Sequence, residues 1–444
     1  MRIVSFLFLT FLFASPLSAA VIGTNSPAKP LTAERIAALP AKVRPAWEQY
    51  LQRSDRQRRA DQAFLQAEMR KNGLKESIVA PTGRWMRALS LNQPTAAYRE
   101  AEAKRIADIV VSFQTPAGGW SKNMDFTQHI RAPGEGFAPN NSSRYLGDSD
   151  YDAPHDTNWN YVGTFDNNAT TTQLRYLAKV ISAVGAQTSV VYRTSFMRGL
   201  DYIFAAQYPN GGWPQVWPLQ GGYHDAITYN DNAVINVMNL LSDVADGTND
   251  YAFVPRRTRA LAAASVKRVI DCILATQIIE DGHRTVWCQQ HDPLTLEPES
   301  ARNYEMPSQA SSERAGLMMF LTDQPRPGPE ITVTVDAAAT WLAGRKTSRD
   351  TIWWRRRTAD RFGRGIMQSG PTGRILTTGT RAVTTAWTKS RKNAATVIRG
   401  TIRCPNGRWN NIAAGKNTGG RRILFARRPG ALQFQSRQAM EVAT

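Results

Sequence analysis

Apolar residues recur at helical spacing in three segments, and each segment ends at a glutamine followed by a tryptophan. The first reads "IVVSFQTPAGGW", the second "YIFAAQYPNGGW" and the third "CILATQIIEDGHRTVW". In each, apolar residues stand four and three positions before the glutamine, and a glycine-bearing turn follows it. This pattern predicts one structural unit used three times. The glutamines are Gln114, Gln207 and Gln277, and the tryptophans are Trp120, Trp213 and Trp287.

A second helix is expected after each tryptophan, with an acidic residue near its start. Apolar residues at helical spacing predict two of these helices: Leu174, Leu177, Ile181 and Val184 in one, and Val234, Val237, Met238 and Leu241 in the other. Asp166, Asp231 and Glu305 occupy comparable places before the three helices. The acidic residue follows the tryptophan by 18 positions in the second and third units but by 46 in the first. The first unit therefore carries an insertion, whose Asn, Asp, Gly and Pro content is typical of a functional loop.

Three helical hairpins that each bury one face need one another, and closing them in a ring satisfies all three. The sequence therefore predicts an all-α fold, an (α/α)3-type toroid with long irregular loops on one rim. The loops of one rim converge in such a ring, so Asp166, Asp231 and Glu305 should meet at one cleft.

The chain divides into four predicted parts. Residues 1–20 resemble a signal peptide, because an apolar run from Ile3 to Phe13 is followed by the small residues of "SPLSAA". Residues 21–80 predict one or two lead-in helices, with Trp47, Tyr50 and Leu51 at helical spacing. Residues 81–345 hold the repeated units, and residues 346–444 form a tail rich in Arg and Thr. No other segment has the length and apolar content of a membrane span, so we expect a secreted protein.

The three cysteines, Cys272, Cys288 and Cys404, show no metal-binding spacing. An exported chain with so few cysteines does not depend on a disulfide framework. Cys272 and Cys288 could pair, but the apolar helix position of Cys272 favours a buried thiol.

The rim chemistry favours a sugar and a hard cation. Aromatic faces beside amides suit a carbohydrate, although a tryptophan after two glycines can also plug a core. "TFDNNATTTQ" supplies more oxygen ligands than a helix cap requires, which favours calcium, although Asp166 could still be an N-cap. Lys122 and Arg302 lie in the same units and could equally be solvated surface charges. The rim aromatics are Trp120, Trp213, Trp217, Tyr223, Tyr229, Trp287 and Tyr304.

Four stretches together resemble the pectate lyases of polysaccharide lyase family 10: "GGWSKN", "TFDNNATTTQLRYLAKV", "YPNGGWPQVWPLQGGYHDAITYNDNAVINVMNLL" and "ARNYEMPSQASSERAGLMMFL". The resemblance runs from about Trp85 to about Leu342. It implies an (α/α)3-type toroid that cleaves polygalacturonate by β-elimination with calcium.

The resemblance also implies roles for individual residues. Asp166 and Asp231 are the expected calcium ligands, and Arg302 is the expected base. Lys122 is expected to neutralise or bind the acidic polymer. The other candidate substrate-binding residues are Trp120, Asn230 and Tyr304.

Two other classes of function remain open at this stage. A toroid glycoside hydrolase would use Asp166 with Asp231 or Glu305 as acid and base and would need no metal. A non-catalytic protein would bind carbohydrate or, through its basic tail, nucleic acid. We expect the lyase, acting as a monomer on polygalacturonate, with no nucleic-acid partner and no membrane contact after removal of the leader.

The tail carries nearly all of the net charge of +19. Residues 346–444 hold 21 basic and 3 acidic residues, against 34 and 33 in the rest of the chain. The tail shows neither a sustained helical period nor strand alternation, and Arg, Thr, Gly and Ala without acids is also what GC-rich DNA yields in a wrong reading frame. We therefore expect that the frame is lost between Gly344 and Ile366 and that the tail is disordered or out of frame. Resequencing the gene checks this, and a confirmed frame with homologous tails elsewhere contradicts it.

Overall fold

The computed structural model describes residues 25–83, 89–139, 159, 162–302, 305–308, 312–344, 399–403 and 409–413. The predicted signal peptide, Trp85, Tyr304, Cys404 and most of the insertion in the first unit lie outside these residues. Within them the chain is mainly helical, as predicted. The α-helices are α1 (Ala33–Ala37), α2 (Arg44–Lys71), α3 (Ala101–Ser112), α4 (Thr171–Val184), α5 (Val190–Ala206), α6 (Ala233–Asp246), α7 (Arg256–Ala275), α8 (Ser312–Thr322) and α9 (Pro329–Gly344).

Helices α3 to α9 form two layers that follow the toroid pattern. Helices α4, α6 and α8 pack side by side as an inner layer, and α3, α5, α7 and α9 lie outside them. The predicted apolar faces of α4 and α6 are buried, including Leu174, Leu177, Met238 and Leu241, none of which is exposed to solvent. A single large hydrophobic cluster between the layers joins all of these helices. The predicted fold class is therefore confirmed.

Short strands connect the helices at the end of the molecule where the glycine-bearing turns lie. The strands are β1 (Ile227–Thr228), β2 (Ile279–Glu280), β3 (His283–Arg284), β4 (Gln290–His291), β5 (Pro298–Glu299), β6 (Arg399–Arg403) and β7 (Trp409–Ala413). Strands β1, β4 and β5 form an antiparallel sheet in the order β1-β4-β5, and β2 pairs with β3.

In the tail, β6 and β7 pair as an antiparallel hairpin. The stretch of the tail from residue 350 to 396 lies outside the described residues, and the origin of the tail stays a prediction. The sequence "CPNG" between the two strands carries the Pro and Asn-Gly signals of a turn.

Each outer helix is tied to the next by the glutamine that ends it. The side-chain amide of Gln114 donates to Gly118 O at 2.8 Å in its own turn and to Ser195 O at 2.9 Å in the next outer helix. Gln207 repeats this pattern with Gly211 and Ser265, and Gln277 repeats it with Thr285 and Thr334. In each unit one bond satisfies a turn carbonyl that would otherwise be buried without a donor, and the other goes to a carbonyl within the next outer helix.

Each tryptophan after these turns fills the core and does not face the cleft. The indole N–H of Trp120 donates to Val110 O at 2.7 Å, that of Trp213 to Ile203 O, and that of Trp287 to Ile273 O. All three side chains are fully buried. The prediction that Trp120 stacks on a sugar is wrong, because its ring has no solvent-facing surface.

The wider prediction of an aromatic rim is corrected for the same reason. Among the described residues, Trp213, Trp217, Tyr223, Tyr229 and Trp287 are all buried. Cys272 and Cys288 are both buried free thiols, so they do not form the disulfide that the sequence left open.

The lead-in segment forms two helices, as predicted. Helix α2 contributes Trp47 and Tyr50 to the core, and the Tyr50 hydroxyl donates to Ala206 O at the end of α5. No helix of the described residues is long and apolar enough to cross a membrane.

Replacing Trp120 with alanine should lower the free energy of unfolding by about 3–5 kcal/mol, because the change leaves a large cavity in a close-packed core. Denaturant unfolding followed by circular dichroism measures the loss. Val191→Ala is the matched control, since Val191 is 62% exposed on α5 and its truncation should change stability by less than about 0.5 kcal/mol. Equal stability of the Trp120→Ala and Val191→Ala variants would contradict the role of the indole in the core.

Candidate functional site

Two equivalent turns precede the inner helices α4 and α6. Thr164 N donates to Trp120 O in the first unit, as Thr228 N donates to Trp213 O in the second. The next residue in each unit, Phe165 or Tyr229, donates its N–H to the carbonyl two residues after the following tryptophan. These matched bonds make Asp166 equivalent to Asn230 and make Asn167 equivalent to Asp231.

The predicted register of the acidic residues is therefore corrected. Asp166 and Asp231 do not occupy the same place in the repeat, because Asp231 lies one position later in its turn than Asp166 does. Asn167 and Asp231 do share a backbone conformation, each with φ of 51°, in the left-handed region. Asn and Asp adopt this region more readily than most residues.

The threonines around Asp166 hold its turn in place. Thr164 Oγ1 donates to Gln215 O at 2.8 Å and accepts from Asp166 N at 3.1 Å. Thr170 Oγ1 accepts from Trp120 N and donates to Thr164 O at 2.9 Å. These bonds fix the backbone from the first glycine-bearing turn to α4, which explains much of the polar composition of this stretch.

Asp166 is not a helix cap. Helix α4 has Thr170 at its N-cap position, without a side-chain cap bond, and the Asp166 side chain points elsewhere. Its Oδ2 accepts from Lys122 Nζ at 2.5 Å, and both side chains are largely buried. Its Oδ1 is buried and accepts no hydrogen bond from any described N–H or hydroxyl group. The interpretation of Lys122 as a solvated surface charge is therefore wrong.

Asp231 lies against Asp166, because the turns at 166–168 and 230–232 pack together. Desolvation and then the charge of Asp166 raise the pKa of Asp231 to about 8. Burial opposes ionisation of Asp166 too, but the charge and hydrogen bond of Lys122 and the charge of Arg302 outweigh it. The pKa of Asp166 is therefore lowered.

Arg302 belongs to the same cluster of charges, since its guanidinium contributes to the lowered pKa of Asp166. The guanidinium also forms a two-pronged ion pair with Glu305, with Nε at 2.9 Å from Oε2 and an Nη at 2.6 Å from Oε1. The backbone N–H of Arg302 donates to Glu305 Oε2 as well. Glu305 thus fixes both the backbone and the side chain of Arg302.

The structure brings together four of the predicted site residues: Lys122, Asp166, Asp231 and Arg302. Asn230 lies in the adjacent turn, where its Oδ1 accepts from Gln289 Nε2 at 2.9 Å. The described residues do not include Tyr304, and Trp120 is buried away from the cleft. The roles of the six residues other than Trp120 stay predictions.

Two features of the site escaped the sequence reasoning. Glu305 was expected at the cleft with Asp166 and Asp231, but its ion pair with Arg302, three residues before it, was not foreseen. Glu313, near the start of α8, affects the pKa of Asp231. Nothing in its local sequence distinguishes it from an ordinary acidic residue in the first turn of a helix.

The donor set around Asp166 suits a hard cation but is small. Carboxylates and amide oxygens are the ligands that calcium prefers, and Asp166, Asp231 and the neighbouring Asn side chains provide them. No cluster of three or more His, Cys, Asp or Glu residues with metal-binding geometry occurs in the part of the chain that the structure describes. A cation here would therefore need oxygen ligands from amides, water or substrate in addition to the two carboxylates.

Comparison with known proteins identifies one family. A family model described as pectic acid lyase matches residues 114–375. The match begins inside the predicted domain of residues 81–345 and extends past Leu342, where the resemblance was expected to end. Comparison with curated proteins gives no match.

Two similar solved structures are of a family 10 polysaccharide lyase from Cellvibrio cellulosa. One is 31% identical with a TM-score of 0.45, and covers 57% of this chain and 69% of the other. The second, a mutant in complex with trigalacturonic acid, has the same identity and TM-score and covers 58% and 73%.

Asp166→Asn should lower the free energy of unfolding by roughly 3 kcal/mol, because Lys122 then keeps its buried charge beside a neutral amide. Adding Lys122→Met to Asp166→Asn should recover part of this loss, since the double variant no longer buries an ammonium without its carboxylate partner. Urea unfolding in the presence of a chelator measures both variants. Additive losses in the double variant would show that the two side chains are not coupled.

Proposed function

This chain belongs to the pectic acid lyase family and is a polysaccharide lyase, and from that premise we propose that it cleaves polygalacturonate by calcium-assisted β-elimination. The products would be 4,5-unsaturated oligogalacturonides. The single observation that carries the proposal is the convergence of Lys122, Asp166, Asp231 and Arg302 at one end of the helical layers. The trigalacturonic acid bound to the Cellvibrio enzyme supports the choice of substrate.

Asp166 and Asp231 would hold the calcium ion. Asp166 Oδ1 is buried without a hydrogen-bond donor from a described N–H or hydroxyl group, so one carboxylate oxygen is available as a ligand. The raised pKa of Asp231 shows that the site as it stands disfavours a second carboxylate charge. When bound, calcium would draw electron density from the C6 carboxylate of the uronate and make the C5 proton more acidic.

We assign removal of the C5 proton to Arg302. As that proton leaves, the C4–O bond breaks, a C4=C5 double bond forms, and the glycosidic oxygen departs with the bond's electron pair on the other half of the chain, where it takes up a proton and becomes a hydroxyl. No water is consumed. Lys122 lies beside Asp166 and supplies positive charge where the acidic polymer would bind.

The Arg302 ion pair sets a condition on this step. An arginine is ordinarily protonated, and the Glu305 carboxylate further favours the charged guanidinium. Proton transfer to Arg302 therefore requires that the ion pair with Glu305 opens when substrate binds. The positive charges of Lys122 and of calcium favour the neutral guanidinium by like-charge repulsion.

We also propose that the protein is exported and acts as a monomer on the soluble polymer, without a nucleic-acid or membrane partner. The apolar run of residues 3–13 and the small residues that follow it support export. Nearly balanced charge before residue 346 gives the catalytic part no strong electrostatic preference for nucleic acid.

The assay incubates the purified protein with polygalacturonate, with calcium or with a chelator, and follows the ultraviolet absorbance of the conjugated product. We expect absorbance to rise with calcium and to stop with the chelator. Arg302→Ala should lower kcat at least about 100-fold, because the base is lost. Arg257→Ala, at an exposed position on α7, is the matched control and should keep normal activity.

Reducing ends produced without this absorbance, and without dependence on calcium, would identify a hydrolase instead. Near-normal turnover of a folded Arg302→Ala variant would refute the assignment of the base.

A further inference from the structure

Residues 25–31, the N-terminal strap, lie across the segment that leads to Arg302. Asn25 Nδ2 donates to Arg302 O at 3.0 Å. The Ser300 hydroxyl donates to Ser26 O, and Lys29 N donates to Glu299 Oε1 at 2.6 Å. Three contacts thus join the strap to residues 299, 300 and 302, which are about 270 positions away in the chain.

The strap is itself anchored to the body of the protein. Leu31 N donates to Asp225 Oδ2 at 3.2 Å, and Leu31 is buried. Ala28 packs with Ala301 and Tyr223 in a small apolar cluster separate from the main core. Asp225 also accepts from Gly221 N, so the loop that holds the strap is fixed in turn.

The backbone of residues 298–302, which ends at Arg302, is held by strand β4 and by the strap. Strand β5 is an edge strand that pairs with β4, at Gln290 with Glu299 and at His291 with Pro298. Beyond β5 the chain has left the sheet, and the strap supplies the bonds to Ser300 and Arg302. Ala301 is 1% exposed, so this stretch of backbone is shielded from water.

Asn25 bonds to the backbone carbonyl of Arg302, the residue that carries the guanidinium. Arg302 O accepts from Glu305 N at 2.8 Å and from Asn25 Nδ2 at 3.0 Å. The first bond joins the backbone of Arg302 to that of Glu305, and the second ties the backbone of Arg302 to the strap. A catalytic group that is misplaced by about 1 Å can lose about 100-fold in rate, so a bond to this carbonyl bears directly on the reaction.

We propose that Asn25 is a positioning residue for Arg302 and that the strap orders the backbone at Arg302. The proposal rests on the proposed function in that it takes Arg302 as the base. The strap lies outside the residues that match the family model.

The experiment compares wild-type protein with Asn25→Ala and with Ser26→Ala as the matched control. Ser26 accepts the bond from Ser300 through its backbone carbonyl and is exposed, so alanine there keeps that contact. We expect Asn25→Ala to lower kcat by about 2- to 10-fold, because Arg302 is then less well positioned, with KM within twofold and an unchanged unfolding midpoint. Amide hydrogen exchange in the peptide that spans residues 298–308 should become faster only in Asn25→Ala.

The possible results separate the two proposals. If the wild-type protein forms no unsaturated product, the proposed function fails. The exchange measurement alone then decides whether the strap orders the backbone at Arg302. If the wild-type protein is active and Arg302→Ala is not, a normal kcat in Asn25→Ala overturns the positioning role. A fall in kcat that accompanies an equal loss of stability in Asn25→Ala also overturns it, because the strap is then only a structural support.

Discussion

The fold depends on the hydrogen bonds that Gln114, Gln207 and Gln277 make at the ends of successive outer helices. A buried carbonyl without a hydrogen-bond donor is costly, and the turn after each outer helix contains one. Each glutamine amide donates to a carbonyl of its own turn and to a carbonyl within the next outer helix, so one side chain both holds the turn and sets the position of the neighbouring helix. The tryptophan indoles then bond to the carbonyl four residues before each glutamine.

The site is asymmetric although the frame around it repeats. The backbone bonds of Thr164 and Thr228 show that the turns before α4 and α6 are built alike. The acidic residue of the second turn, Asp231, lies one position later in its turn than Asp166 lies in the first. Because the two turns face each other, this offset places two carboxylates in contact. Lys122, two residues after the tryptophan of the first unit, then compensates the charge of Asp166.

Local periodicity was sufficient to predict the helices and the hairpins, because helix faces and helix ends leave a signal in nearby residues, whereas the roles of the site residues came from the family resemblance and stay predictions. The register between units could not be predicted, since counting residues from Trp213 to Asp231 ignores the shape of the loop between them. The burial of Trp120 was equally hidden, because a tryptophan after two glycines suits a core or a cleft alike. The bond from Asn25 to Arg302 joins residues 277 positions apart, and no local pattern reports such a contact.

The electrostatic environment of Asp231 links the geometry to the proposed chemistry. Apart from desolvation, the strongest influences on its pKa are the carboxylates of Asp166, Glu313 and Glu305, opposed by the Lys122 ammonium. A place where carboxyl groups raise one another's pKa is one where a cation gains most, since binding it replaces the proton and relieves the repulsion. The same excess of negative charge would repel the uronate carboxylate of the substrate. A divalent cation between the two would turn that repulsion into attraction, which is how the proposed reaction would use a cluster that disfavours a second carboxylate charge on its own.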